Sequence, residues 1–113
     1  MFATLDSLDY EHIGCYKDNS SRVIKKIDGD CGHVGPSLKG RVEAIEKCYQ
    51  CAKDKGFTIF ALQNGGECRA DEDGAYDKYG GPTGGCINGT GGGHRNDVYR
   101  IEGKVMFIIS LDL

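Results

Sequence analysis

Six cysteines in a chain of 113 residues constrain the fold more than any other feature. A chain this short buries only about two-thirds of the surface that its unfolded form exposes, so its core alone stabilises it weakly. Bridges that close loops compensate by removing entropy from the unfolded chain, worth roughly 2–4 kcal/mol each. Cysteines used in this way imply an oxidising compartment, so the chain is expected to be secreted or extracellular.

Charge and hydropathy exclude several classes. With 14 basic and 17 acidic side chains the net charge is −3, and no basic run extends beyond Lys25-Lys26. The electrostatic footprint that nucleic acid requires is missing. The negative charge also argues against a membrane-disrupting peptide. The longest apolar stretch, Val105 to Ile109, falls far short of the roughly 20 residues of a membrane-spanning helix. The first residues lack a basic and then apolar leader pattern, so the extracellular reading requires that a leader has been removed.

One helix is expected over Arg41 to Lys55. Val42, Ile45, Cys48 and Ala52 recur at three- and four-residue spacings, and Gly56 follows a basic last turn as a helix-terminating residue. Phe57 to Leu62 is rich in aromatic and β-branched residues and reads as a buried strand. Asn64-Gly65-Gly66 is a turn signal, with the returning strand beginning at Glu67. Tyr10–Tyr16, Val98–Ile101 and Lys104–Leu111 also read as strands. Eight of the eighteen glycines lie between Gly80 and Gly93, and this run is a loop tied by Cys86. The sum is a single α+β domain over 10–113 after a short extension at 1–9, with one helix covering an antiparallel sheet.

These elements narrow the cysteine pairing, which spacing alone leaves open. Cys48 and Cys51 lie on nearly one helix face, so each is expected to reach out of the helix. Cys48–Cys68 fastens the helix to the returning strand, Cys31–Cys51 to the preceding loop, and Cys15–Cys86 pins the glycine-rich loop to the first strand. A redox role for Cys48-Tyr49-Gln50-Cys51 would need a nucleophilic thiol at a helix N-terminus, and this motif is mid-helix. A zinc site would need a second close pair, for which only Cys31 and His33 offer themselves. His12, His33 and His94 are scattered and no catalytic constellation is visible, so the chain is not expected to be an enzyme.

The segments IGCYKDN with Arg22, EKCYQCAKDKGFTIFALQNGGEC and the closing NDVYRI occur in the order found in WSC domains, which this chain resembles over about residues 10–101. More narrowly, it resembles the invertebrate WSC-like modules. The resemblance implies a PAN/apple-like fold, a twisted antiparallel sheet with one disulfide-fastened helix across it. It also implies glycan or polysaccharide binding without catalysis; no cofactor is expected beyond the calcium candidate below. The family generally carries eight cysteines with Cys-x-Cys after the Gly-Gly-Glu, whereas here Cys68 precedes Arg69-Ala70. The segment 104–113 extends beyond the family's usual end, as an extra strand or a tail. The second reading is an extracellular protein–protein interaction or adhesion module, since PAN/apple domains also bind proteins.

Sugar recognition uses aromatic faces and planar polar groups. Tyr76, Asp77 and Tyr79, together with His94, Arg95 and Asn96 beyond the glycine-rich loop, are the candidate carbohydrate contacts. The competing reading makes Tyr76 and Tyr79 half-buried packing residues. Asp71, Asp73 and Asp77 could supply oxygen ligands to an irregular calcium site. An EF-hand is excluded by Gly74 and Pro82 at the wrong positions, and an acidic turn explains the same residues. Asn19-Ser20-Ser21 and Asn88-Gly89-Thr90 match the N-glycosylation pattern.

Overall fold

The computed structural model describes residues 9–19, 24–27, 43–72 and 76–102. Within them the order is β1 (Tyr10–Lys17), β2 (Lys25–Lys26), α1 (Ala44–Asp54), β3 (Ile59–Gln63), β4 (Glu67–Asp71) and β5 (Arg95–Ile101). The strands form one sheet in the order β1-β5-β3-β4-β2, and every pairing is antiparallel. This is the expected α+β class. The strand at 104–111, and the partner given to Cys51 at Cys31, lie outside the described residues.

Helix α1 starts at Ala44, and the expected beginning at Arg41 and Val42 lies outside the described residues. Glu43 has φ 54°, and a left-handed residue cannot continue a right-handed helix backwards. The other end follows expectation. Gly56 has φ 85°; its N–H bonds Lys53 O at 3.0 Å while Phe57 N–H bonds Ala52 O at 2.9 Å. That pair of bonds is a Schellman ending, which satisfies two carbonyls that would otherwise be orphaned.

Strand β3 reads Ile-Phe-Ala-Leu-Gln and all five residues are buried, because both sheet faces are covered and alternation by polarity disappears. Phe60 and Leu62 pack with Cys68, Ala70 and Tyr99 beneath Ala44, Cys48, Tyr49, Cys51 and Ala52 of α1. Ile59 and Ala61 point the other way, into a cluster with Tyr16, Ile24 and Val98, flanked by Ile13 and Tyr76. Phe60 stacks on Tyr99 with centroids 4.8 Å apart, an arrangement worth about 0.5–1.5 kcal/mol beyond burial. The Asn64-Gly65-Gly66 turn forms as expected, with positive φ at Asn64 and Gly65.

A β-bulge between His12 and Gly14 decides the faces of β1. His12 lies opposite Tyr99 on the helix side, whereas Tyr16 lies opposite Asn96, on the far side with Val98. Without the extra residue Tyr16 would point toward the helix. Strand β5 begins three residues before the expected Val98, so Arg95, Asn96 and Asp97 belong to the sheet rather than to the loop. Their polarity hides the strand from a reading by hydropathy.

Candidate functional site

The glycine-rich segment is fastened to the sheet at several points between Pro82 and Gly92. Cys15–Cys86 bridges it to β1, Thr83 N–H bonds Cys15 O at 2.8 Å, and Pro82 forms a β-bridge with Tyr16. The expected Cys48–Cys68 bridge also forms, joining α1 to β4. No described cysteine is free.

Closer to β5 the segment is held by side chains. Arg95 donates from Nε to Gly84 O at 3.0 Å and from Nη1 to His94 O at 3.2 Å. Asp97, 2 % exposed, accepts Gly91 N–H on Oδ2 at 2.9 Å and meets His12 Nε2 on Oδ1 at 2.7 Å. Tyr99 Oη donates to Gly89 O at 2.8 Å. On the hairpin side, Asn64 N–H and Gly65 N–H bond Gly92 O and Thr90 O. Glycine is required where these backbones meet: a Cβ on Gly91 would lie 2.2 Å from Leu62 O.

The candidate sugar contacts occupy different environments. Asp77 and His94 are exposed, whereas Tyr76, Tyr79 and Arg95 are half-buried. Tyr76 meets the Tyr16 ring edge-on with centroids 4.9 Å apart, and Lys78 Nζ sits 5.5 Å from the centre of the Tyr79 ring. Burial, with Tyr76 and Asp77 adding to it, pushes the Tyr16 phenol above its usual pKa; Arg100 opposes this. Asn96 is fully buried and pairs across the sheet with Tyr16. The structure thus brings Tyr76 and Asn96 to one sheet face around Tyr16, and places His94 beside Arg95 where the loop enters β5.

Asn96 belongs to a buried polar row that motif reading did not single out. Gln63 Nε2 donates to Asn96 Oδ1 and to Asp18 Oδ2, both at 2.8 Å. Next to it across the hairpin, Glu67 accepts from Arg69 Nη2 at 2.9 Å and lies 3.4 Å from Lys26 Nζ. Arg69 Nη1 reaches Ile24 O at 2.9 Å. Asn96 Nδ2 and Arg69 Nε are buried without a partner among the described residues, a condition that normally costs about 1–3 kcal/mol per group. The available signal was parity: Ile59, Ala61 and Gln63 share a face, and a polar residue on a buried face has to be paired.

Of the calcium candidates, the Asp71 carboxylate accepts Glu72 N–H at 2.6 Å, Asp77 is exposed, and Asp73 lies outside the described residues. Among those residues no group of three His, Cys, Asp or Glu could hold a metal ion, and no helix is long and apolar enough to cross a membrane. Comparison with models of known protein families and with curated proteins finds no match to the chain.

Proposed function

We propose that the chain is an extracellular carbohydrate-binding module of the WSC-like, PAN/apple-related type, acting without catalysis. The observation that carries this reading is the fastened glycine-rich loop. A segment rich in glycine, costly to order, is held by a disulfide, by Arg95 and by Asp97, with Asp77, Tyr79 and His94 at its borders. Contacts ordered before binding lower the entropic cost of capturing a flexible polyol. Planar polar groups beside an aromatic ring suit a pyranose, whose hydroxyls and apolar face need both. The disulfides suit an extracellular setting, and the antiparallel sheet under a bridged helix among the described residues supports the reading at the level of α+β class.

The test is an array of β-glucans, simple hexoses and diverse glycans, followed by titration of any ligand found. Tyr79→Ala and Asp77→Ala are expected to weaken binding at least tenfold while leaving the fold intact. Asn96→Ala is unsuited to this purpose, since it breaks the buried Gln63 contact. Silence across the array sinks the proposal. Capture of extracellular proteins that persists after their glycans are removed would replace it with the protein-interaction reading.

A further inference from the structure

We propose that Asn88 is a site of N-linked glycosylation, an inference that rests on the extracellular reading but not on sugar binding. Asn88-Gly89-Thr90 has the required hydroxyl at its third position and no proline at its second. Fold and chemistry make the asparagine available. Thr90 N–H bonds Ile87 O at 3.0 Å, with φ 53° at Asn88 and 77° at Gly89. These values define the tight turn for which Asn-Gly is favoured.

The inner side of the turn is Gly89, where a Cβ would lie 2.7 Å from Tyr99 Oη and 3.0 Å from Ile45 Cδ1. Asn88 is on the outer side, exposed, and its carboxamide makes none of the side-chain hydrogen bonds of the described residues. Turn geometry explains asparagine and glycine but does not require a hydroxyl at Thr90. The backbone N–H already closes the turn onto Ile87 O, and Thr90 Oγ1 reaches the same oxygen at 2.9 Å.

One further observation favours occupancy. Ile87, adjacent to Asn88, is 64 % exposed and is the one large apolar side chain so exposed among the described residues; the apolar face of a first sugar would lie beside it. The turn also rests on Ile45 and Tyr99, the helix side of the sheet, whereas Tyr16, Tyr76 and Asn96 occupy the opposite face. In the transfer, Asn88 Nδ2 attacks the anomeric carbon of a lipid-diphosphate-linked oligosaccharide. A C–N bond forms, the C–O bond to the diphosphate breaks, the diphosphate leaves with the electron pair, and Nδ2 loses a proton.

The full chain, carrying Asn19→Gln to remove the other acceptor, is directed through a eukaryotic secretory pathway by a supplied signal peptide. Its intact mass is measured before and after peptide:N-glycosidase treatment. The expected result is the mass of one N-glycan, removed by the glycosidase, abolished by Asn88→Gln and by Thr90→Ala, and kept in Thr90→Ser. Glycosidase treatment in heavy-oxygen water, followed by peptide mapping of the unsubstituted chain, secreted or retained, gives the same answer should Asn19→Gln impair folding. Label at position 88 is counted only above a parallel sample without glycosidase, because Asn-Gly also deamidates spontaneously. Chain that has entered the pathway at its bare polypeptide mass, with no heavy oxygen at position 88, overturns the proposal. A silent glycan array does not, because occupancy is read by mass alone.

Discussion

Replacing Gly91 with alanine should destabilise the domain severely, because the loop crosses the sheet end without room for a side chain. The new Cβ would lie 2.2 Å from Leu62 O, 2.5 Å from Gln63 Cα and 2.7 Å from Arg95 O. All three are backbone atoms of sheet strands and cannot rotate away. The φ of 80° adds a second cost, about 1–2 kcal/mol for an L-residue in the left-handed region. Displacing packed backbone costs typically about 1–3 kcal/mol. Together these give about 2–5 kcal/mol, a large part of the roughly 5–15 kcal/mol that holds a domain folded. Gly93→Ala is the internal control, since nothing lies within 4 Å of its Cβ position. Urea titration followed by circular dichroism compares the two variants with the parent. The Gly93 variant should stay within about 0.5 kcal/mol of the parent, as exposed substitutions usually do. In the Gly91 variant the Gly91 N–H bond to Asp97 should also be lost, seen as faster amide exchange at residue 91. Equal stability of the two variants would refute the claim that close backbone approach fixes the loop.

Two other perturbations separate the parts of this scaffold. Cys15–Cys86 spans 71 residues and Cys48–Cys68 spans 20, so unfolded-state entropy assigns about 4 and about 3 kcal/mol to them. Cys48 and Cys68 are fully buried, whereas Cys15 and Cys86 are partly exposed. Mild reductant followed by alkylation and mass mapping should therefore label Cys15 and Cys86 first; earlier labelling of Cys48 would contradict the burial argument. Burial, reinforced by Asp97 and Tyr10, holds the Tyr99 phenol well above its ordinary pKa of 10.0. The unfolded chain then loses this proton first as pH rises, so the folded state loses stability above about pH 10. Tyr99→Phe should flatten the alkaline side of a stability-against-pH curve while costing about 0.5–1.5 kcal/mol near neutrality for the lost bond to Gly89 O. An unchanged alkaline slope would show that other groups carry it.

Local signals in the sequence located much of the fold. The spacing of Ile45, Cys48 and Ala52, the stop at Gly56, the run beginning at Phe57, and Asn64-Gly65 are each decided within a few residues, and the helix, strand and hairpin appear there. The start of the helix is less legible, because the left-handed Glu43 carries no side-chain signature. The two bridges at Cys48–Cys68 and Cys15–Cys86 followed from placing those elements next to one another. Asn96 and Asp97 have the polarity of loop residues, so hydropathy alone does not place them in a strand. Their strand conformation is supported by Gln63, Gly91 and His12, residues remote in sequence.

Composition and short-range pattern by themselves determined a stapled α+β domain with a fixed glycine-rich loop, because helix periodicity, turn chemistry and cysteine count need no knowledge of distant neighbours. Only the tertiary structure decided which face of β1 meets which face of β5. The single extra residue between His12 and Gly14 reverses the direction of Tyr16 and brings it to Asn96 and Tyr76. A strand alternates with period two, so one inserted residue changes every later side chain on that strand from one face to the other.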